Sequence, residues 1–528
     1  MTNKVFQIVL LLAFVIIVIA IAGRSLRPEN LQLRGPITVI ESGAPTGISK
    51  VGTFDVNWTV DNGGQLTVGN EAGRTLWQTL SGEAFIFAAE SVETVDENRG
   101  MFQFKDTWKR VCTRQSVELI SEYLPGESVT FSGHLFCNDG TSVVYNIEFS
   151  VTKDNPEALS LTAWLIDEAT YKQDEHFNRL FLSFASNADE HFFGFGEQFT
   201  YFDMKDKEVP IWVSEQGVGR GEEPITTGAN LTNGGAGGNA FTNYAPMPFY
   251  LTNQMHAFSL DNAARSIFDF RKNDRVQVEV WSQTVHAKIY DGDTPAKIVS
   301  AFTAQRRMTS LPDWVYSGAI VGMQGGSEKV DSVSAELEAR DVPVSAYWLQ
   351  DWVGQRTTSF GKQLWWNWEV DYDRYPGWDE MVSSFNENDV QVMVYASPYL
   401  ADIADLKPNM RRNLFQEASK NGYLIKDQSG EPYLILNTDF YFGMVDLTNP
   451  KAWDWYKQVL KEQVIASGAS GWMADFGEGL PYDAVLYEGD ARIVHNQYPV
   501  LWAKLNREVV EETEKEPVFF NRAAYTDR

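Results

Sequence analysis

Between about residues 50 and 310, apolar and polar side chains alternate over short runs that Gly, Asn and Asp turns separate. Clear examples are FDVNWTV, SVVYNIEFSVT, LSLTAWLI and VQVEVW. Alternation with a period of two residues is typical of strands that bury one face, and short strands at regular spacing indicate a β-sandwich. The pattern therefore predicts an all-β domain over 50–310.

After Pro312 the pattern changes to near-continuous apolar runs separated by helical stretches. The runs are SGAIVGMQGG, VSAYWLQD, VQVMVYASP, GWMAD and PVFFNRAA. The helices are predicted near 327–341, 377–388, 408–421, 450–467 and 499–514. Alternating strands and helices predict a parallel sheet covered on both faces. A doubly wound sheet is the alternative, but no Gly-rich fingerprint follows the first strand.

Polar residues stand where these predicted strands end: Gln324, Gln350 and Asp351, Asp475, and Arg522. Converging polar groups at the carboxyl ends of several parallel strands are typical of the active face of a (β/α)₈ barrel. We therefore expect a barrel over 312–528. Asp475 lies in SGWMADFGEGLPYD, and the plainer interpretation is that it only caps the end of its strand.

The predicted barrel is incomplete, because about five of eight strands are present and the chain stops just past a strand. Domain boundaries normally fall in exposed linkers. We therefore expect the chain to be a C-terminally truncated piece of a longer protein. Such a piece has open sheet edges, and we expect it to be inactive by itself.

The N-terminus carries an apolar run over residues 5–23 that ends in an Ala-Ile-Ala pattern. Its length suits a membrane anchor, and its end suits a cleaved signal peptide, so both remain open for residues 1–27. A buried core helix is the third alternative. Either of the first two predicts an exported protein that is periplasmic or membrane-anchored, with membrane contact only if the segment stays uncleaved.

Net charge, cysteine content and residue spacing limit the classes of partner and cofactor that the protein is expected to bind. The net charge of −27 disfavours nucleic acid, because a polyanion would be repelled at long range. Two cysteines, Cys112 and Cys137, lie in strand-like segments and either pair as a disulfide or remain separate buried thiols. No metal-ligand spacing is present, so the sequence predicts no metal and no cofactor.

Several motifs together resemble glycoside hydrolase family 31. GWMADFGE resembles the nucleophile strand of that family, and HFFGFGEQF resembles a loop of its N-terminal sandwich that reaches toward the active site. VPIWVSEQGVGRG, LQDWVGQRTTSFGKQLWWNW and VDLTNP are similar to the bacterial sulfoquinovosidase branch in particular. The resemblance implies a carbohydrate substrate and hydrolysis of an α-glycoside with retention, which needs two carboxyl groups and no cofactor.

The resemblance also implies roles for individual residues. Asp475 matches the nucleophile, Asp351 matches an aspartate that hydrogen-bonds sugar hydroxyls, and Arg522 matches an arginine that binds the sugar. A strand-end cap and a surface arginine are the plainer alternatives for Asp351 and Arg522. The acid/base residue of the family lies on a later strand, and no residue here matches it. Glu478 remains either a turn carboxylate or a site residue, and His495 is expected to be structural.

The expected substrate depends on residues 350–366. Gln350 and Trp366 match a glutamine and a tryptophan that hold the sulfonate in sulfoquinovosidases, but Gln363 stands where that set has an arginine. A carboxamide binds an oxyanion more weakly than a guanidinium does, although Lys362 or Arg356 can compensate. A neutral-sugar α-glucosidase is therefore the main alternative. A family 31 lyase and a non-catalytic sugar-binding protein also stay open.

Overall fold

A computed structural model shows a β-sandwich followed by part of a parallel α/β barrel. It describes residues 39–152, 155–166, 176–232, 234–304, 310–359, 361–404, 407 and 410–526. The apolar run over 5–23 lies outside these residues. Among the helices that are described, none has the length and apolar character needed to cross a membrane.

The sandwich contains nineteen described strands. In chain order they are β1 Val39–Ser42, β2 Gly47–Val51, β3 Phe54–Thr59, β4 Gln65–Asn70, β5 Thr75–Gln78, β6 Ile86–Asn98, β7 Met101–Val117, β8 Leu119–Ser121, β9 Ser128–Cys137, β10 Ser142–Thr152, β11 Asn155–Ile166, β12 Arg179–Ala185, β13 Phe192–Gly196, β14 Glu208–Ile211, β15 Pro246–Thr252, β16 His256–Leu260, β17 Ser266–Asp269, β18 Arg275–Val280 and β19 Thr284–Asp291. Two helices accompany them, α1 Ile225–Thr232 and α2 Pro295–Thr303.

These strands form two largely antiparallel sheets that share one hydrophobic core. β2 to β5 make a four-stranded sheet, and the other fifteen make one long sheet. Alternation explains the core: in β10, Val143, Tyr145, Ile147 and Phe149 are buried while their neighbours face outward. Side chains from both sheets, such as Trp58 of β3, meet in that core. The predicted sandwich is confirmed.

Cys112 and Cys137 form a disulfide. Cys112 lies in β7 and faces Cys137 directly across the antiparallel pairing with β9. Both side chains are buried. The register of these two strands therefore decides between the two alternatives that the sequence left open, in favour of the disulfide.

The second region contains five parallel strands in the order β20, β21, β24, β28 and β29. Their bounds are β20 Ala319–Met323, β21 Val344–Leu349, β24 Gln391–Ala396, β28 Gly471–Ala474 and β29 Val518–Asn521, and the smaller strands are β22 Gln355–Thr358, β23 Gly361–Leu364, β25 Tyr399–Leu400, β26 Ile435–Asn437 and β27 Phe440–Met444. The helices are α3 Ser327–Glu338, α4 Trp378–Glu387, α5 Leu414–Asn421, α6 Pro450–Val459 and α7 Ala491–Glu511. Five parallel strands separated by helices confirm the incomplete barrel.

The last helix corrects one prediction. The sequence predicts a helix over about 499–514. Instead, α7 begins at Ala491, and the Asp490 side chain caps it by accepting a hydrogen bond from the Arg492 backbone at 2.9 Å. Pro499 lies inside the helix. The N-terminal turns are stabilised by tertiary packing, since His495 is fully buried there.

Candidate active site at the barrel mouth

Parallel register brings Asp475 and Arg522 together. Ala474 of β28 pairs with Asn521 of β29, so the next residue of each strand leaves the sheet at the same level. On the other side, the Asp475 backbone N–H donates to Ala396 of β24 at 2.9 Å. Both predicted site residues therefore lie side by side at the carboxyl end of the sheet, where barrels hold their functional groups.

The Asp475 carboxylate is buried and asymmetrically held. Its Oδ2 accepts a hydrogen bond from the Tyr395 hydroxyl at 2.5 Å. Its Oδ1 lies 3.0 Å from Nε of Arg522, an ion pair without hydrogen-bond geometry. Burial and the Asp475 charge raise the pKa of Tyr395 well above its usual value, so the hydroxyl stays protonated and donates. Oδ1 thus keeps its lone pairs available for chemistry.

Arg522 is shared among three carboxylates. Besides Asp475, its terminal nitrogen hydrogen-bonds Glu478 Oε1 and lies 3.6 Å from Glu215 Oε2. The guanidinium also lies over the Tyr244 ring, 4.3 Å from its centroid. Burial alone would lower the pKa of Arg522, but Glu478, Asp475 and Glu215 outweigh it and raise that pKa. Arg522 therefore remains a cation and provides a counter-charge beside Asp475.

Glu478 belongs to this cluster and is not a solvent-facing turn residue. It is 1% exposed, and its Oε2 has no hydrogen-bond partner. Burial raises the pKa of Glu478 to about 8, with Glu215 and Asp475 adding to the effect of burial and Arg522 opposing it. The raised pKa favours the protonated form of the Glu478 carboxyl, which reduces the negative charge crowded around one guanidinium.

The backbone after Asp475 is strained. Phe476 has φ of 60°, and Gly477 follows with φ of 116°. A bulky residue in the left-handed region is uncommon, and such positions gather at functional sites. The centroid of the Phe476 ring lies 4.6 Å from that of the Tyr399 ring and 5.7 Å from that of the Trp366 ring. The Trp366 backbone is also in the left-handed region, with φ of 43°. Aromatic packing thus holds the turn that ends the Asp475 strand.

Asp351 is fully buried among protein partners. Its Oδ2 accepts from both Nε and a terminal nitrogen of Arg374, at 3.0 and 2.7 Å, and from the Gly325 backbone at 3.0 Å. Its Oδ1 accepts from the Tyr375 hydroxyl. These contacts tie the end of β21 to the loop after β20. Direct contact of Asp351 with a sugar hydroxyl stays a prediction.

Gln350 faces the exposed side of the same strand ends. Its Oε1 accepts from Gln324 Nε2 at 2.5 Å, and Gln324 Oε1 accepts from Gln355 at 2.7 Å. Three amides thus form a chain that ends at the β22–β23 hairpin. These side chains present neutral donors and acceptors beside the site.

Gln363 and Arg356 face each other across that hairpin. The Arg356 guanidinium lies 4.3 Å from the Trp365 ring centroid and 3.9 Å from that of Phe440, and it donates to the Trp365 carbonyl at 3.0 Å. Burial lowers the pKa of Arg356 to about 10, which still leaves it charged at neutral pH. Phe440 in turn packs edge-on against Trp366 at 5.2 Å.

His495 joins the two regions of the chain. Its Nδ1 lies 2.7 Å from the Leu480 carbonyl oxygen in the barrel, and its Nε2 lies 2.7 Å from the Val213 carbonyl oxygen in the sandwich. The ring stacks on Trp212 at 3.9 Å. Burial lowers the pKa of His495 to about 4, although the two carbonyls act in the other direction. The geometry is that of a structural histidine between domains.

Two sandwich residues at this site, Glu215 and Tyr244, escaped sequence reasoning. Glu215 follows VPIWVS, and Tyr244 lies just before β15. The Tyr244 hydroxyl donates to Glu215 Oε1. The pattern of polar residues at strand ends applies only to the parallel strands of the barrel, so it could not identify Glu215 or Tyr244. The one available hint was the motif over 209–221, which contains Glu215.

Comparison with known proteins matches both regions to the same family. A profile described as the family 31 TIM-barrel domain of glycosyl hydrolases matches residues 309–527. Another, described as the glycosyl hydrolase 31 N-terminal galactose mutarotase-like domain, matches residues 56–269.

The chain belongs to glycoside hydrolase family 31.

Two relatives within family 31 are sulfoquinovosidases. That of Escherichia coli strain K12 is 40% identical over 353 residues, which is 66% of this chain and 51% of the relative. That of Agrobacterium fabrum is 34% identical over 474 residues, which is 89% of this chain and 66% of the relative. The chain therefore spans about half to two thirds of the length of these curated relatives.

Solved structures agree with the family 31 assignment. A sulfoquinovosidase from E. rectale in complex with an aza-sugar inhibitor superposes with a TM-score of 0.76 at 29% identity, covering 91% of this chain and 66% of that one. A Flavobacterium johnsoniae dextranase of family 31 has a TM-score of 0.57 at 16% identity, covering 93% of this chain and 55% of that one, and shows the shared fold alone.

No cluster of three metal-ligating side chains occurs within the part of the chain that the structure describes. The carboxylates at the barrel mouth are balanced by Arg522 instead.

The raised pKa of Glu478 predicts a pH-dependent stability. Between its ordinary pKa of 4.5 and about 8, the folded protein holds a proton that the unfolded chain has released. The contribution of this group is therefore complete below pH 4.5 and is lost as the pH rises through 8. In the complete protein, Glu478→Gln should remove this slope, which reaches at most about 1.4 kcal/mol per pH unit.

Denaturant unfolding at several pH values from about 5 to 8 measures this effect. The free energy of unfolding of the Gln variant should rise relative to wild type across the range. Glu488→Gln changes an exposed glutamate further along the same loop and should leave the pH dependence unaltered. Parallel curves for wild type and Glu478→Gln would show that Glu478 is ionised in the folded protein.

Proposed function

We propose that the complete protein is a retaining α-glycoside hydrolase of the sulfoquinovosidase type, with Asp475 as its nucleophile. The observation that carries the proposal is the Asp475–Arg522 pair at the strand ends, in a chain whose curated relatives at 40% and 34% identity are sulfoquinovosidases. A buried carboxylate with one oxygen hydrogen-bonded and the other open is suited to nucleophilic attack.

The chemistry follows from that arrangement. Asp475 Oδ1 attacks the anomeric carbon, the bond from that carbon to the leaving oxygen breaks, and a second carboxyl gives its proton to that oxygen. Water then attacks the same carbon, the ester to Asp475 breaks, and the second carboxyl takes a proton from the water. Tyr395 holds Oδ2 in place, while Arg522 places a positive charge beside Oδ1. We assign the second carboxyl to no residue described at this site.

A sulfonated sugar is the substrate that the relatives favour. Gln350 and Trp366 retain two of the three expected sulfonate contacts, and Gln363 replaces the third. Arg356 supports the anionic substrate despite that replacement, because it lies directly opposite Gln363 and no carboxylate pairs with it among the described residues. A guanidinium without a counter-charge favours an incoming oxyanion.

A neutral-sugar α-glucosidase is the second candidate. Gln363 favours it, since a carboxamide gives an oxyanion only uncharged donors. Arg356 also donates a hydrogen bond to the Trp365 carbonyl, so one of its guanidinium nitrogens is already engaged within the protein. The ratio of activities on sulfonated and neutral substrates decides between the two candidates.

We also propose that the protein acts outside the cytoplasm, in the periplasm or anchored to a membrane. The Cys112–Cys137 disulfide suits an oxidising compartment, and the apolar run over 5–23 suits export. A reporter that is active only outside the cytoplasm, fused to residues 1–40, should be active. A silent reporter in a strain that expresses the fusion would contradict export.

Asp475→Asn should abolish turnover by the complete protein while leaving the fold intact. A carboxamide has nearly the same shape, but it is a very poor nucleophile toward the anomeric carbon. We expect kcat for an aryl α-sulfoquinovoside to fall by at least about 10⁴-fold, following the magnitude seen when a nucleophile is removed. A folded Asn variant with near wild-type activity would leave Asp475 with the role of a strand-end cap.

Gln363→Arg should shift the preference toward the sulfonated sugar. A hydrogen bond to a charged group contributes about 1.5–3 kcal/mol against about 1 for a neutral one, so the shift should be on the order of ten-fold. The measurement is kcat/KM for a matched aryl α-sulfoquinovoside and α-glucoside. Arg356→Gln should shift the ratio the opposite way. If wild type and both variants lack activity on the sulfonated substrate, the result would favour the neutral-sugar α-glucosidase.

A further inference from the structure

Of the three carboxylates around Arg522, Glu215 is the one that faces solvent. Its side chain is 32% exposed, against 7% for Asp475 and 2% for Glu478. A ligand that approaches the barrel mouth from solvent therefore reaches the Glu215 carboxylate before the other two. Unlike the other two, Glu215 comes from the β-sandwich.

The position of Glu215 is well defined, because its backbone and neighbours are fixed to both domains. The Glu215 N–H donates to the Gly100 carbonyl at 2.8 Å, and the preceding Ser214 N–H donates to Asn243 at 3.0 Å. One residue further back, Val213 donates to the Asn496 side chain at 2.8 Å. His495 contacts the Val213 carbonyl on the same segment. A side chain on such a segment is preorganised for binding.

The hydrogen bonds of the carboxylate leave one oxygen open. Glu215 Oε1 accepts from the Tyr244 hydroxyl. Glu215 Oε2 lies 3.6 Å from Arg522, which is within reach of ionic attraction but too long for a hydrogen bond. A carboxylate oxygen has two lone pairs and only accepts hydrogen bonds. Oε2 therefore offers a hydrogen-bond acceptor at the mouth of the site.

We infer that Glu215 is a sugar-binding residue contributed by the sandwich, and that its Oε2 accepts a hydrogen bond from a substrate hydroxyl while Asp475 faces the anomeric carbon. The inference rests on the proposed function. Sugar hydroxyls are the donors that such an oxygen needs, and a charge-assisted hydrogen bond is stronger than a neutral one. Arg522 contacts both carboxylates and places a positive charge beside each of them.

The charge of Glu215 also bears on substrates that carry an anionic group. A carboxylate repels a sulfonate held close to it, so Glu215 would favour substrates whose sulfonate lies away from Oε2. Glu215 would then select substrates in two ways, by accepting from a hydroxyl and by rejecting a charge placed on that side of the ring.

The test compares Glu215→Gln with wild type on an aryl α-glycoside and on its set of monodeoxy analogues, using the complete protein. With the parent substrate, kcat/KM should fall by about 10- to 100-fold, mostly through KM. With the one analogue that lacks the bound hydroxyl, the two versions should differ by less than about two-fold, because the lost hydrogen bond is already missing.

Matched controls make the result specific. Glu222→Gln is the same change at an exposed position of the same loop, and it should leave every substrate unaffected. Tyr244→Phe removes the hydroxyl that holds Oε1 while keeping the ring over Arg522, and it should preserve the dependence on the same substrate hydroxyl. Thermal unfolding of each variant confirms that the fold is retained.

Two results would overturn the inference. Unchanged kinetics of Glu215→Gln on every substrate would leave the residue without a role in binding. An equal loss on every deoxy analogue would mean that Glu215 acts only through Arg522. Failure of the proposed function has a different signature, in which wild type turns over no α-glycoside at all. Calorimetric binding of the parent sugar and the same deoxy sugars to wild type and to Glu215→Gln would then still test Glu215.

Discussion

The Arg522 guanidinium is the interaction on which the site depends. It contacts Asp475 and Glu478 from the barrel and Glu215 from the sandwich, so a single cation balances three carboxylates. Asp475 and Glu478 are almost completely buried, and a buried carboxylate without a counter-charge is strongly destabilising. Removing Arg522 would therefore affect folding and chemistry together. The raised pKa of Glu478 favours its protonated form, which reduces the charge imbalance.

Because this cluster draws on two domains, the domain interface and the candidate active site are the same structure. The barrel provides Asp475 and Arg522 through the register of β28 and β29. The sandwich provides Glu215 and Tyr244 on a segment that His495 and Asn496 of α7 hold from the barrel side. A change of the relative position of the domains would move one carboxylate of the three. His495 therefore helps to fix the position of Glu215 relative to Asp475.

The sequence predicts the parts of the site that follow local rules. Apolar period and strand ends correctly identify the sandwich, the parallel strands, and the adjacency of Asp475 and Arg522. Contacts between distant segments escape such rules: Glu215 and Arg522 are about three hundred residues apart, and nothing local marks their pairing. The role of Glu478 stayed open because the local sequence is the same for an exposed glutamate in a turn and for a buried glutamate in a site. The start of α7 was misplaced because tertiary packing outweighs the local effect of Pro499.

The central claim is that Asp475 forms a covalent bond to the sugar, and mass spectrometry of a trapped intermediate tests it most directly. A fluorinated α-glycoside with a good leaving group slows hydrolysis of the glycosyl–enzyme, so the adduct accumulates on the complete protein. After proteolysis, the added mass should lie on the peptide that contains Asp475, and fragmentation should place it on that side chain. An adduct on another carboxylate, or hydrolysis of the unmodified substrate with inversion and no adduct, would contradict the account.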